Sequence, residues 1–265
     1  MGNIKKFTVR ELLDKENVKA RFNEVLRENA AGFTANLAIM VNNSSALQKC
    51  DPMSIVSAAV ISASLNLPLD PNLGFAALVP YGDNVQFQIM YKGIIQLAQR
   101  SGQYKTIGVT EIYEGELKEE NRLTGEYVFD FSGKLSNTII GYAAYFKLIN
   151  GFEKTEYWPI DKVKLHGKKY SQTYKKGFGK WIEDFDSMGK KTVLKNLLSK
   201  WGILSIEMQK AVKTDQGVIK GITEDAEIEY VDNEEHPNVK HEVINPLDIK
   251  IETKKEEKPI EGKLL

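Results

Sequence analysis

The sequence has 265 residues and is poor in the groups that carry covalent chemistry. It holds one cysteine, Cys50, which excludes an intramolecular disulfide and fits a reducing cytoplasm. As a small, buried residue before a helix Cys50 is inert; as a nucleophile it needs a histidine partner. Only His166, His236 and His241 are present, and His166 is too far along the chain from the other two for a zinc cluster. No CxxC, H-E-x-x-H or G-x-S-x-G motif occurs. Gly189-Lys190-Lys191-Thr192 matches the end of a phosphate loop but lacks its upstream glycine. Gly177-Phe178-Gly179 lacks the third glycine of a dinucleotide fingerprint. The expectation is a protein that is not an enzyme.

Long apolar runs are also missing. None approaches the ~20 residues of a membrane span. The opening stretch lacks the apolar core of a secretory signal, and Lys6 stands where a myristoylation signal requires Ser or Thr. A cytoplasmic location without membrane contact is expected. Net charge is absent too: 36 Lys+Arg balance 36 Asp+Glu, which by itself argues against a nucleic-acid partner.

The balance conceals segregation. Residues 162–200 carry 11 lysines and three acids, a net +8. Residues 215–265 carry seven lysines and 14 acids, a net −7, and residues 111–130 a net −5. Residues 84–110 contain no acid. Dense charge, few large apolar residues and Pro237, Pro246 and Pro259 mark the end of the chain as a disordered acidic tail. The expected division is a helical N-terminal lobe over 1–66, an α+β core over 67–213 and a flexible acidic tail over 214–265.

Within the folded part, helices are expected over 8–29, 34–41, 52–66, 92–101 and 187–212. Thr8 and Glu11 form a capping-box pattern; Asp51 followed by Pro52 marks the start of the third helix. Strands are expected at 75–79 and 85–91, around Pro80–Asn84, and then at 106–113, 126–131, 138–149 and 152–158. Asn150-Gly151 is a hairpin signal. Helices flanking antiparallel hairpins give an α+β class: a curved antiparallel hairpin sheet packed with helices.

Two stretches suit phosphate. Over 91–105, Tyr91 and Lys92 precede Gln96 and Arg100 at helical spacing, and Lys105 follows, with no carboxylate among them. Either a phosphate-binding face or a solvated helix face accounts for this pattern. Residues 164–181 interleave lysines and rings: Lys168, Lys169, Tyr170, Lys175, Lys176, Lys180. Lysines neutralise phosphates and rings stack on unpaired bases, although a basic loop with core aromatics reads the same way. Lys191 and Lys195 lie off the apolar stripe of the last helix, with Lys190 nearer that stripe. The acids of 111–130 are scattered, and suit a solvated loop better than a nuclease metal site. In the N-terminal lobe, Phe7, Leu12, Phe22, Phe33 and Leu37 suit either an ordinary core or contacts between subunits.

The runs Leu67-Pro68-Leu69-Asp70-Pro71, Gly74-Phe75-Ala76-Ala77-Leu78-Val79-Pro80-Tyr81, Tyr91-Lys92-Gly93, Leu97-Ala98-Gln99-Arg100-Ser101-Gly102, Lys169-Tyr170-Ser171 and Met188-Gly189-Lys190-Lys191-Thr192 resemble the RecT family of phage recombinases. That family is related to the lambda Red beta protein. The resemblance spans roughly residues 30–210. Position 189 is Gly where Ala is expected from the family pattern, an exchange expected not to affect function. The resemblance implies an ATP-independent single-strand annealing protein, encoded by a phage or prophage. Such a protein coats single-stranded DNA left by an exonuclease, assembles into rings or helical filaments and pairs complementary strands through a protein-bound duplex. It implies no nucleotide cofactor, with Mg2+ as a modulator of DNA binding. The tail then resembles the part that contacts the exonuclease or the host single-strand-binding protein. A passive single-strand-binding protein is the alternative.

Overall fold

The computed structural model describes residues 7–223 and 226–230. Helix α1 (Val9–Leu13) starts at Thr8, whose Oγ1 accepts the Glu11 N–H while Glu11 accepts the Thr8 N–H. The expected single helix over 8–29 is broken. Lys15 is extended, α2 (Glu16–Leu26) restarts after it, and Arg27 at φ 51° leads through a 3-10 turn into α3 (Ala30–Asn42). The breaks let Leu12, Leu13, Val18 and Phe22 all face inward, which one straight helix with their spacing does not allow.

A single turn, α4 (Ser45–Gln48), precedes α5 (Pro52–Ser64). Asp51 caps α5 by accepting the Ser54 N–H, and Pro52 occupies its first turn, where a missing N–H costs nothing. Residues Ser54 to Ala63 are all buried, because α5 is packed between α1 and α2 on one side and a sheet on the other.

That sheet opens with the hairpin of β1 (Ala76–Tyr81) and β2 (Asn84–Ile89). Val85, Phe87 and Ile89 join the main core. Helix α6 (Tyr91–Arg100) follows, then the long strand β3 (Tyr104–Tyr113). A small hairpin, β4 (Leu117–Asn121) and β5 (Glu126–Phe129), leads to β6 (Ile139–Leu148) and β7 (Glu153–Pro159). Strands β3, β6 and β7 form a second antiparallel sheet in the order β3-β6-β7. Strand β4 has no counterpart in the sequence reading: Lys118, Glu119 and Glu120 are exposed on both of its faces, so it lacks alternation.

Helices α7 (Ile160–Tyr170), α8 (Gln172–Lys175) and α9 (Lys180–Glu183) precede α10 (Phe185–Trp201) and α11 (Ile206–Thr214). The expected helix over 187–212 is thus two. Its break is at Gly202, where a Cβ would stand 2.6 Å from the Tyr104 hydroxyl and 2.8 Å from the Leu198 carbonyl oxygen. The chain then adds β8 (Gly217–Lys220) beside β2 and β9 (Glu227–Glu229) outside it, giving the order β1-β2-β8-β9.

Two expectations need correction. The tail boundary at 214 is too early, because Val218 and Ile219 are buried and pair with the first sheet; one compact unit runs to Glu235. The expected disordered tail beyond residue 230 lies outside the described residues. Secondly, Leu12, Phe22 and Leu37 are 3%, 1% and 1% exposed, so they are core side chains with no surface for another subunit. Phe33 is half-buried against the Phe22 ring and Phe7 is exposed beneath the Lys15 ammonium.

Gly189 on α10 sits against the ring of Tyr142 on β6, where a Cβ would stand 2.6 Å from Cε2. The Tyr142 ring cannot retreat: it is fully buried and its hydroxyl donates to Asp186 at 2.5 Å. Alanine at 189 therefore cannot be seated without a shift of its neighbours. Gly189→Ala is expected to lower stability by about 1–3 kcal/mol through overpacking. Urea denaturation should show a smaller penalty in a Tyr142→Leu background.

Candidate nucleic-acid interface

Helix α10 runs over one face of the β3-β6-β7 sheet, touching all three strands. Helix α6 lies on its β3 side and α7 on its β6–β7 side. The expected site residues therefore fall on α10 and on helices beside it, with Lys105 on strand β3, and the structure sorts them by what each side chain already holds.

Three lysines of α10 are engaged. Lys191 is 2% exposed and donates to Asp215 Oδ1 at 2.7 Å; Lys195 donates to Oδ2 at 2.6 Å. The Asp215 carboxylate is fully buried and also accepts the Ile89 N–H. Burial opposes its ionisation, but the two ammonium groups outweigh that and hold it below the usual carboxylate range. Burial lowers the pKa of Lys191 in turn. Lys191 thus presents no surface to a phosphate, and its assignment to DNA contact is overturned. Lys195 keeps partial exposure. Lys190 donates to Glu111 at 2.6 Å and stands over the Tyr91 ring at 5.1 Å. Burial disfavours its charge, yet the pairing with Glu111 raises its pKa.

Arg100 is also committed. Its guanidinium donates to the carbonyls of Leu65 and Asn66 at 2.9 Å each, closing the C-terminus of α5. Lys180 pairs with Glu183 at 2.8 Å. Tyr170 packs on His166, with ring centroids 4.6 Å apart, and Lys169 lies 5.1 Å from the Tyr170 ring. Gln96 and Tyr91 are half-buried on α6.

The remaining cations are open to solvent. Lys92, Lys105, Lys168, Lys175 and Lys176 are exposed, and no carboxylate pairs with them among the described residues. Lys162 and Lys164, outside the expected set, extend this surface along α7. Lys162 lies 4.0 Å over the Trp158 ring and Lys164 is 3.7 Å from Asp161. They were missed because 164–181 reads as a basic stretch rather than a helix, although Lys164 and Lys168 recur at i, i+4. The rings of the basic segment divide likewise. Trp181 is buried, stacked on Tyr174 at 5.6 Å and against Phe185 at 5.7 Å.

His166 lies under this surface, 5.4 Å from Trp158. Burial, then the charges of Lys195, Lys162 and Lys169, push its pKa down to about 4, so the imidazole is neutral near pH 7. No group of three or more His, Cys, Asp or Glu able to hold a metal ion occurs among the described residues, and no helix there is long and apolar enough to cross a membrane.

The model of the RecT family matches residues 31–233. The chain is 48% identical over 259 residues to the uncharacterised protein YqaK of Bacillus subtilis (strain 168), covering 97% of this chain and 87% of that protein. It is 32% identical over 183 residues to protein RecT of Escherichia coli (strain K12), covering 64% of this chain and 65% of that protein. The family match runs through β8 and β9, in keeping with the later boundary of the folded unit.

Lys191→Ala leaves Asp215 with one ammonium in a buried site and is expected to cost about 3 kcal/mol. Lys176→Ala should stay within about 0.5 kcal/mol; chemical denaturation of both variants separates the buried cation from the open one. A second expectation concerns pH. The unfolded chain protonates its imidazole near pH 6.5 and the folded chain His166 only near 4. Between those values the unfolded state binds more protons, so stability falls as pH falls through that window. Melting temperature against pH should slope less steeply there in His166→Gln.

Proposed function

The chain belongs to the RecT family of single-strand annealing recombination proteins, and from that premise we propose that it binds single-stranded DNA through the α6 and α7–α8 surface and pairs complementary strands without nucleotide hydrolysis. The observation that carries the placement is the set of exposed lysines without carboxylate partners: Lys92, Lys105, Lys168, Lys175 and Lys176. An ordinary solvated face mixes charge signs, whereas these cations stand ready to displace counterions from a phosphate backbone.

Annealing requires no bond to be made or broken by the protein. Two strands repel one another through their phosphates. Lysines along a bound strand reduce that repulsion while leaving base edges open to the incoming strand. Base pairing then supplies about 1.4 kcal/mol per step. Backbone contacts position the strand, and Watson–Crick pairing alone checks the sequence. The paired product remains bound as a duplex intermediate before release.

The rest of the reading follows from this task. Many subunits along one strand form rings or helical filaments, with contacts between them from the N-terminal lobe. There Phe33, Ile39 and Met40, with Leu69 from just beyond the lobe, line a cavity of about 440 Å³. The acidic C-terminal segment, net −7 over residues 215–265, serves as a docking segment for an exonuclease or a single-strand-binding protein, in the cytoplasm of a bacterium carrying the phage or prophage.

Two complementary oligonucleotides mixed with the protein in the absence of ATP are expected to anneal faster than without it. Coating without acceleration would establish the passive binding reading instead. The double variant Lys175→Ala with Lys176→Ala should flatten the dependence of log affinity on log salt by about 1.4, from ~0.7 per phosphate contact on a single strand. Its melting temperature should not change.

A further inference from the structure

The turn between α8 and α9 holds an aromatic ring in an unusual setting. Lys176 is the last cap residue of α8, and Gly177 follows at φ +81°. The Gly177 N–H donates to the Tyr174 carbonyl at 3.0 Å, and the Phe178 N–H reaches back to the Thr173 carbonyl at 3.0 Å. This is the paired hydrogen-bond pattern of a Schellman motif, in which the residue after the left-handed glycine commonly packs its apolar side chain on the helix it has just left. Here the positions it would cover are Thr173 and Gln172, both polar. The Phe178 ring instead remains 54% exposed.

The turn that presents it is fixed on both sides. Gly179, at φ +87°, starts α9, and a Cβ there would stand 2.9 Å from Thr173 Oγ1. Tyr174 on one helix stacks on Trp181 of the other, and both pack on Phe185 of α10. Around the ring, Lys175 and Lys176 are exposed and without carboxylate partners among the described residues, while Lys180 is held by Glu183. An apolar π-face thus stands in water on a hydrogen-bonded turn, two and three residues after two exposed cations.

We propose that Phe178 is a stacking residue for an unpaired base of the bound strand, with Lys175 and Lys176 holding the adjoining phosphates. The proposal rests on the single-strand binding proposed above. Stacking on an aromatic face is tolerant of sequence because every base has a π-face, and a backbone already fixed by its turn need not be ordered on binding. The residue then interrupts base–base stacking at a defined place on each subunit and keeps the strand extended for pairing.

The test uses the full chain and an oligothymidine strand. Phe178→Ala should weaken binding by about tenfold with the salt dependence unchanged, since no phosphate contact is lost. Phe178→Leu, equally apolar but without a π-face, should recover little of that loss. Phe178→Trp should bind as the unaltered chain does, with its added tryptophan emission quenched by the oligonucleotide. Equal binding by Phe178→Ala overturns the proposal, as does Phe178→Trp emission that stays constant while binding persists. A change of subunit association in Phe178→Ala with unaltered DNA affinity assigns the ring to a protein contact and overturns it too. Failure of the unaltered chain to bind the strand is a separate result, which removes the single-strand reading itself. Should Phe178→Ala melt early, the tryptophan variant still decides.

Discussion

The Asp215 carboxylate joins three parts of the chain that are distant in sequence. It receives Lys191 and Lys195 from α10 and the backbone N–H of Ile89 at the end of β2. The residue itself lies at the end of α11, just before β8. A buried carboxylate costs several kcal/mol to desolvate, and geometry this complete is what offsets it. The group thereby ties α10 to the end of β2 and to the turn before β8. Every cationic element of the candidate interface is hung on α10 or packed beside it.

This arrangement divides the lysines of the +8 segment into two kinds. Those on the inner side of α10 are structural, neutralised by Asp215 and Glu111. Of those on α7 and α8, Lys168, Lys175 and Lys176 are exposed with no carboxylate partner among the described residues. Net charge counted along the sequence cannot separate the two, because it assigns the same +1 to an ammonium sealed in an ion pair and to one free to meet a phosphate. Arg100 makes the point from the other side of the layer. It lies on an exposed helix face at the expected spacing, yet two of its donors are already engaged by the carbonyls of Leu65 and Asn66 just past α5.

What the sequence disclosed follows the strength of the local signals. Asp51-Pro52 specifies a helix start by cap chemistry, and the sequence of β2 alternates apolar and amide side chains, so both elements stand where these signals put them, although Gln86 and Gln88 are buried as well. The antiparallel α+β class was legible for the same reason. Strand β8 was not, because Val218 and Ile219 are a short apolar pair inside a segment whose average is strongly acidic. Lys191 was misplaced because an amphipathic helix was assumed to have one dry side, whereas α10 is covered by strands on one flank and by helices and Asp215 on others. Gly189 illustrates a third limit: its requirement comes from the ring of Tyr142, 47 positions away in chain order, and no local pattern encodes that contact.

The pairing of β2 with β8 has a consequence for how the protein is made. Gln86 and Phe87 must wait for Val218 and Gly217 before the inner edge of β2 is covered. During synthesis the first hairpin therefore emerges with that edge open, while the whole second sheet and its helices are still being added. Contacts of such long sequence separation form slowly, and an unpaired strand edge can recruit another chain. The first sheet is complete only when one of the last folded segments leaves the ribosome. Abundant expression should accordingly be limited by association of nascent or newly released chains rather than by the stability of the finished fold.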